Sequence, residues 1–269
     1  MALLFSRQAA DALKEVRAKK PLVHHITNWV TISECASITR AAGALPVMAH
    51  AADEVEEMVG ISGALVLNIG TLTPELVEAM VRAGRKANEK GIPVVLDAVG
   101  AGATKLRTES ARKILESVKI SVIKGNAGEI ATMAGAQAEV RGVESVSVVG
   151  NAADHARALA KLAGCAVAIT GAVDIVTDGR RTFFVKNGHP RMGEVVGTGC
   201  MAASVIAAFC AVEKDATLAA AHALCFYGIA GEMAARDAKG PGSMKNNLFD
   251  SVAAVSPEDV RKGARVDEA

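Results

Sequence analysis

Short apolar runs alternate with longer amphipathic runs along most of the chain. Apolar runs that predict strands occur at residues 21–24, 45–48, 64–68, 93–97, 120–123 and 166–170. Apolar residues at helical spacing, which predict helices, occur at residues 7–19, 29–42, 52–59, 74–90, 109–118, 126–134 and 151–162. This alternation predicts a mainly parallel sheet with helices on both faces.

The alternation changes in the second half of the chain. Residues 174–177 and 181–185 are short apolar runs separated by Asp178-Gly179, a pair typical of a tight hairpin turn. An antiparallel edge is therefore expected late in the sheet. After Gly199 the pattern is helical to about Asp250, and no linker or repeat interrupts it. We expect residues 1–269 to form a single domain.

Composition and charge exclude several classes of partner and site. The 30 basic and 29 acidic residues leave a net charge of +1, which gives no reason to expect nucleic acid or an anionic membrane as partner. Five cysteines without a CxxC pair predict neither a disulfide framework nor a zinc site, and favour a cytoplasmic location.

Residues 195–212 carry no charge, but they begin with a glycine loop. We therefore expect a buried core helix from about Cys200 rather than a membrane span.

The loops that follow the predicted strands are the places to look for ligands, because ligands bind beyond the carboxyl ends of parallel strands. One strand ends in Asp97-Ala-Val-Gly-Ala-Gly-Ala-Thr104. A carboxylate before a glycine loop suits Mg²⁺ or phosphate, although a flexible turn explains the pattern equally well. The loop lacks the third glycine of the dinucleotide fingerprint, which disfavours a nicotinamide-dependent dehydrogenase.

The next strand ends in Lys124-Gly-Asn126-Ala-Gly-Glu129. A lysine at a strand end is well placed to neutralise a polyphosphate. Asn126 and Glu129 have the spacing of a helix capping box, and that structural role alone could explain the acid. Thr170 ends another strand, where it could bind a phosphate or simply form a turn.

The strongest signal is Gly197-Thr198-Gly199-Cys200 at the start of the apolar helix. Glycines leave the first N–H groups of a helix unshielded, and the helix dipole adds positive charge there. The sequence therefore predicts an anion hole for a transferring phosphoryl group. A P-loop motif is absent from the sequence, so this phosphate site would be of another type.

Two other segments follow predicted strands. His24 and His25 are adjacent, so on a strand they point to opposite faces, and structural roles are favoured over metal binding. Met48 is a flexible apolar side chain that could line a ligand pocket, although such a residue is more often part of a core.

These motifs, in this order, resemble those of the hydroxyethylthiazole kinases of thiamin salvage. The resemblance extends from His24-His25-Ile-Thr-Asn28 through Pro46-Val-Met48-Ala and the loops at Asp97 and Lys124 to Gly197-Thr-Gly-Cys200. It implies a three-layer αβα fold of the ribokinase-like class. It also implies Mg²⁺- and ATP-dependent phosphorylation of the hydroxyl of 4-methyl-5-(2-hydroxyethyl)thiazole by a homotrimer with active sites between subunits.

The resemblance also implies roles for individual residues. The implied thiazole-binding residues are Met48, Gly197, Asn28 and Val23; the ATP-binding residues are Lys124, Thr170 and Asn126; the Mg²⁺ ligands are Asp97 and Glu129; and the catalytic group is Cys200 with Gly197, Thr198 and Gly199. Most ribokinase-like enzymes have an aspartate base where Cys200 stands, so this cysteine distinguishes the subgroup.

The chain departs from the family pattern at two positions. Ala98 replaces a proline, so we expect a less rigid loop after Asp97. Lys124 stands where arginine is more usual, and its point charge would hold ATP differently from a planar guanidinium.

The alternative functions are a ribokinase-like kinase for another small alcohol, such as hydroxymethylpyrimidine, and a nucleotide-binding regulatory protein without turnover.

Overall fold

The computed structural model describes residues 2–135 and 147–269. Within these residues nine strands form one sheet: β1 (Leu22–Ile26), β2 (Leu45–Met48), β3 (Ala64–Asn68), β4 (Val94–Asp97), β5 (Val122–Gly125), β6 (Ala166–Ile169), β7 (Asp174–Thr177), β8 (Thr182–Val185) and β9 (Val266–Glu268). The helices are α1 (Ala2–Lys19), α2 (Ile32–Ala42), α3 (Val55–Ile61), α4 (Pro74–Lys90), α5 (Lys105–Ser117), α6 (Ala127–Met133), α7 (Ser147–Ala163), α8 (Thr198–Cys210), α9 (Ala216–Arg236), α10 (Pro241–Ala254) and α11 (Pro257–Gly263).

The strands are ordered β2-β1-β3-β4-β5-β6-β7-β8-β9 across the sheet. All neighbours from β2 to β6 are parallel, and β6 to β9 are antiparallel. The predicted parallel sheet with an antiparallel edge is confirmed. β9 was not predicted, because a short, largely exposed strand joined to β8 has no apolar alternation to reveal it.

Apolar side chains cover both faces of the sheet, as expected when helices pack on each side. In β3 the side chain of Val66 belongs to one buried cluster, and those of Leu65 and Leu67 belong to the other. The first cluster includes residues of α1, α2, α8, α9, α10 and α11. The second includes residues of α3, α4, α5, α6 and α7. The three-layer prediction is therefore confirmed.

Local capping explains where the helices begin. The predicted bounds of α4 agree with the structure, because Thr73 accepts a hydrogen bond from the Leu76 N–H and Gly91 ends the helix at φ 74°. The predicted start of α2 was three residues too early. Asn28 Oδ1 accepts from the N–H groups of Val30 and Thr31, and these bonds hold residues 29–31 in a turn before the helix.

The apolar helices of the second half are core helices. In α8 every residue from Met201 to Cys210 is buried, as predicted for this uncharged stretch. Helix α9 is long and apolar enough to cross a membrane, but 78% of its apolar window is buried within the fold. Packing against α8 and α10 accounts for its composition.

Candidate active site

Three polar side chains lie in register at the carboxyl ends of neighbouring parallel strands. Asn68 ends β3, Asp97 ends β4 and Lys124 lies near the end of β5, and the register pairs Asn68 with Asp97 and Asp97 with Lys124. Because parallel strands end at the same edge, this register brings an amide, a carboxylate and an ammonium group together. Asn68 was missed in the sequence, although it ends a predicted strand and the same rule pointed to it.

Asp97 and Lys124 form a buried ion pair. Lys124 Nζ donates to Asp97 Oδ1 at 3.1 Å, and the two side chains are 5% and 0% exposed. Asp97 Oδ2 accepts from Asn68 Nδ2 at 2.7 Å. Burial raises the pKa of Asp97 to about 6, although Lys124 acts to lower it. Burial acts to lower the pKa of Lys124, but the charges of Asp97 and Glu129 raise it overall. The pair is therefore ionised near neutral pH.

A chain of amides connects this pair to helix α8. Asn28 Nδ2 donates to Asn68 Oδ1 at 3.0 Å and lies 3.4 Å from Cys200 Sγ. On its other side Asn28 Oδ1 accepts from the Thr31 hydroxyl. All of these partners saturate the Asn28 side chain, which is buried. Asn28 therefore lies beside Cys200 and holds β3, α8 and the loop after β1 together.

The first turn of α8 approaches both the amide chain and the lysine. Gly197 precedes the helix at φ 91°, and a Cβ added there would overlap Thr31 Cγ2. A Cβ added at Gly199 would lie 3.0 Å from Lys124 Nζ. Gly197 therefore requires glycine, whereas a side chain at Gly199 would only press on Lys124 Nζ. The free N–H groups of a helix start and an ammonium group therefore lie close together, an arrangement that suits the binding of an anion.

Cys200 is half-buried in this turn and remains a thiol at neutral pH. Burial raises the pKa of Cys200, and the charge of Asp97 raises it further. Interactions with Thr31, Asn68 and Lys124 lower the pKa, but by less than burial and Asp97 raise it. A thiol in this place can orient a hydroxyl group by hydrogen bonding, but it is a weak proton acceptor.

A cavity of about 450 Å³ opens beside the first turn of α8. It is bounded by the end of β6, the start of β7, the loop after β8 and helices α8 and α9, and its lining includes Thr170, Asp174, Gly188, His189, Gly199 and Tyr227. Tyr227 Oη donates to the Thr198 carbonyl at 3.3 Å, which ties the cavity wall to the first turn of α8. The volume is in the range of pockets for drug-sized ligands.

Glu129 and Asn126 form the capping box that their spacing predicted. Asn126 Oδ1 accepts from the Glu129 N–H at 2.9 Å, and Glu129 Oε2 accepts from the Asn126 N–H at 2.7 Å. Glu129 Oε1 also accepts from the N–H of Gly100, in the loop after Asp97. Glu129 therefore fixes the glycine loop against α6. Its negative charge acts to raise the pKa of both Asp97 and Lys124.

Met48 and Val23, the other two predicted thiazole contacts, differ in exposure. Met48 is half-buried at the carboxyl end of edge strand β2. Val23 is fully buried in the first core cluster, because a strand position three residues before the strand end lies inside the sheet layer and not at its edge. Its thiazole contact stays a prediction.

The two adjacent histidines have structural roles. His24 Nε2 bonds the Ala49 carbonyl at 2.8 Å, and His25 Nε2 lies 3.1 Å from the Ser204 hydroxyl on α8. Burial lowers the pKa of His25 to about 3, so its ring is neutral. The sequence favoured such roles over metal binding. Within the part of the chain that the structure describes, no three His, Cys, Asp or Glu side chains form a ready-made metal cluster.

The loop after Asp97 is tied to β5 by a bond that proline could not make. The Ala98 N–H donates to the Lys124 carbonyl at 3.0 Å. Proline has no N–H, so the substitution adds one hydrogen bond next to the ion pair. The expectation of a looser loop did not take this bond into account.

Comparisons with known proteins find similarity along nearly the whole chain. The model of the "Hydroxyethylthiazole kinase family" matches residues 13–258. A hydroxyethylthiazole kinase of Methanosarcina mazei is 56% identical over 258 residues, which cover 96% of this chain and 99% of that protein. One of Thermoanaerobacter pseudethanolicus is 56% identical over 259 residues, covering 96% and 98%.

Solved structures show the same fold. A hydroxyethylthiazole kinase structure from Pyrococcus horikoshii OT3 superposes with a TM-score of 0.90 at 44% identity, covering 97% of this chain and 99% of that one. A pyridoxal kinase from Staphylococcus aureus, in complex with AMP-PCP and pyridoxal, superposes with a TM-score of 0.63 at 14% identity, covering 93% and 98%. The second likeness concerns the fold alone, and it agrees with the ribokinase-like class.

Proposed function

Because the chain belongs to the hydroxyethylthiazole kinase family, we propose that it transfers the γ-phosphoryl group of ATP to the hydroxyl of 4-methyl-5-(2-hydroxyethyl)thiazole. The observation that carries the proposal is the meeting of Lys124, Asp97 and the first turn of α8 at one edge of the sheet. Phosphoryl transfer needs mainly positioning and charge neutralisation, and these groups supply both. We also propose that the whole chain acts as one kinase domain, since its described strands form one sheet.

The nucleotide is proposed to occupy the cavity beside α8. Thr170 and Gly199 line the cavity, and a Cβ added at Gly199 would lie 3.0 Å from Lys124 Nζ, so the cavity reaches the neighbourhood of that ammonium group. The triphosphate would therefore point toward Lys124 and the N–H groups of residues 197–200, with Thr170 bonding a phosphate oxygen. Asn126 is exposed and its oxygen is engaged in the helix cap, so only its amide N–H₂ group is left for a nucleotide.

Asp97 and Glu129 are the proposed Mg²⁺ ligands. Mg²⁺ is typically held by one or two carboxylates together with phosphate oxygens and water, so this donor set fits. Each oxygen of the two carboxylates accepts one hydrogen bond in the structure and keeps a second lone pair. The ion would neutralise charge on the phosphates. Asp97→Asn should reduce turnover on the order of a hundredfold and weaken the Mg²⁺ dependence.

The acceptor hydroxyl is proposed to lie against Cys200 between Asn28, Gly197 and Met48. A thiol with a raised pKa suits orientation of the hydroxyl better than full proton removal. A loose, metaphosphate-like transition state needs little help from a base. The N–H groups that follow Gly197 would stabilise the charge on the moving phosphoryl group.

A homotrimer with active sites between subunits is proposed from exposed apolar side chains beside the site. Trp29 and Val30 follow Asn28 and are 57% and 65% exposed, and Val196 precedes Gly197 and is 73% exposed. Large apolar side chains around a polar site favour contact with a partner, here a second copy of the chain. Sedimentation analysis should give the mass of three chains, and a monomer at micromolar concentration would contradict this.

The assay is ADP release with Mg²⁺-ATP and one of three alcohols: the thiazole, hydroxymethylpyrimidine or ribose. Release driven by the thiazole is the expected outcome, and it would be consistent with a cytoplasmic role in thiamin salvage. Release with another alcohol alone would reject the thiazole pocket, and no release despite ATP binding would favour the regulatory alternative. Asp97→Asn serves as the variant of reduced turnover. Asp154→Asn is its control, since Asp154 is an exposed carboxylate on α7.

A further inference from the structure

A carboxylate with no described function lies in the wall of the nucleotide cavity. Asp174 begins β7 and lines the cavity together with Thr170 and Gly199. Its Oδ1 accepts from the Gly171 N–H at 2.9 Å. The residue is half-buried, and no lysine or arginine of the described residues forms an ion pair with it. Asp174 therefore places a negative charge beside the space assigned to a polyphosphate.

The groups that face Asp174 do not cancel this charge. The positive charge of Lys124, on β5, favours the ionised form of Asp174, but the ammonium group is already paired with Asp97. Tyr227 faces it from α9 and stays neutral, because burial raises the pKa of this tyrosine well above 10. His189 lines the same cavity from the loop after β8, and Val185 is the neighbour on β8 itself.

Burial supports a proton equilibrium at this carboxyl near neutral pH. It raises the pKa of Asp174 to about 7, although the Gly171 N–H and the charge of Lys124 both act to lower it. A polyphosphate in the same cavity would disfavour the carboxylate further, since like charges repel strongly in a partly dry pocket. The neutral form also has an O–H that can donate to a nucleotide oxygen.

We propose that binding of the nucleotide is coupled to protonation of Asp174. Binding of the nucleotide increases the protonated fraction of this carboxyl, so protons are taken up from the solvent as the nucleotide enters the cavity and are returned when the product nucleotide leaves. No bond other than the O–H bond forms or breaks. This inference rests on the proposed assignment of the cavity to the nucleotide, and it adds a residue that sets nucleotide affinity as a function of pH.

The coupling has a defined sign. Below the pKa of the free protein Asp174 is already protonated, so binding takes up no proton and affinity is at its maximum. Above that pKa binding draws protons from solution, so affinity falls as pH rises. We expect affinity for MgADP to fall about fivefold between about pH 6.5 and pH 8.5, with uptake of about half a proton at pH 7.5.

Calorimetric titration with MgADP measures both quantities without turnover. Repeating it in buffers of low and high ionisation enthalpy gives the number of protons taken up. Asp174→Asn is the matched neutral variant, because its Oδ1 can still accept from Gly171. The protons that MgADP itself exchanges are the same in both proteins, so the difference between wild type and variant reports Asp174. Asp178→Asn, a carboxylate of the same hairpin that pairs with Arg181, is the control and should keep the wild-type profile.

The expected result is proton uptake by wild type and Asp178→Asn, and none beyond that of MgADP itself in Asp174→Asn. Asp174→Ser provides a second neutral variant should the asparagine variant fail to fold. Equal uptake by wild type and the neutral variants would overturn the coupling while leaving the nucleotide cavity in place. Failure of wild type to bind MgADP at every pH would overturn the proposed cavity and, with it, the coupling.

Discussion

Replacing Gly197 by alanine tests the geometry of the first turn of α8. Gly197 has φ 91°, a conformation that costs an L-residue about 1–2 kcal/mol. The new Cβ would overlap Thr31 Cγ2 and lie 3.1 Å from Thr31 Cβ. Overpacking of this kind costs about 1–3 kcal/mol. We therefore expect Gly197→Ala to reduce the free energy of unfolding by about 2–5 kcal/mol.

The two contributions are separated by removing the methyl group of Thr31. Thr31→Ser deletes Cγ2 but keeps the hydroxyl that donates to Asn28 Oδ1. In the double variant only the backbone strain and the Cβ contact remain, so about 1–2 kcal/mol of the loss should be recovered. The double-mutant cycle thus measures the steric term.

Urea unfolding at one fixed protein concentration gives these energies, and thiazole-dependent ADP release reports the effect on the site. Gly60→Ala is the control, since Gly60 lies exposed in α3 with open space around it. That substitution should raise stability by about 0.5–1 kcal/mol. Strict additivity of Gly197→Ala and Thr31→Ser would refute the steric argument. A Gly197→Ala protein as stable as wild type would refute the strain argument as well.

Three further substitutions test the buried groups of the site. Lys124→Met leaves Asp97 without its partner and should reduce the free energy of unfolding in urea by about 3–5 kcal/mol. Adding Asp97→Asn should recover part of this loss, and no recovery would mean that the pair is not coupled. Cys200→Ala should lower the turnover rate by only about one to two orders of magnitude, while Cys200→Asp keeps or raises it. Complete loss of turnover in a folded Cys200→Asp protein would count against this role. Tyr227→Phe removes the hydrogen bond to the Thr198 carbonyl and should reduce the free energy of unfolding by about 1 kcal/mol. It should raise KM for ATP more than it changes kcat. A change confined to kcat would contradict the place of Tyr227 in the nucleotide cavity.

Much of the fold was predictable because local patterns carry it. The predicted bounds of β2, β3 and β7 agree with the structure, and so do those of α4. These elements have regular apolar spacing and strong end signals, such as Thr73 before Pro74 and Gly91 after Lys90. β9 has none of these signals, since its pairing with β8 through backbone groups sets its place.

The candidate site was predicted unevenly for a physical reason. Asp97, Lys124 and Cys200 stand next to strand ends or glycines, so their positions in the chain already indicate a ligand-binding edge. Val23 is also close to a strand end in sequence, but the sheet layer buries it. Asp174 and Tyr227 carry no motif, and only the cavity that they line indicates a function.

The sequence by itself determined the alternation of strands and helices as far as β8 and the parallel sheet with its antiparallel edge, because apolar periodicity, caps and glycines act over a few residues. The family was indicated by the resemblance of its ordered motifs. Only the tertiary structure decided which polar groups touch. The hydrogen bond between Asn28 and Asn68, and the packing of Gly199 against Lys124, join residues far apart in the chain. Whether the carboxyl of Asp174 is charged depends in turn on burial, which the whole fold sets.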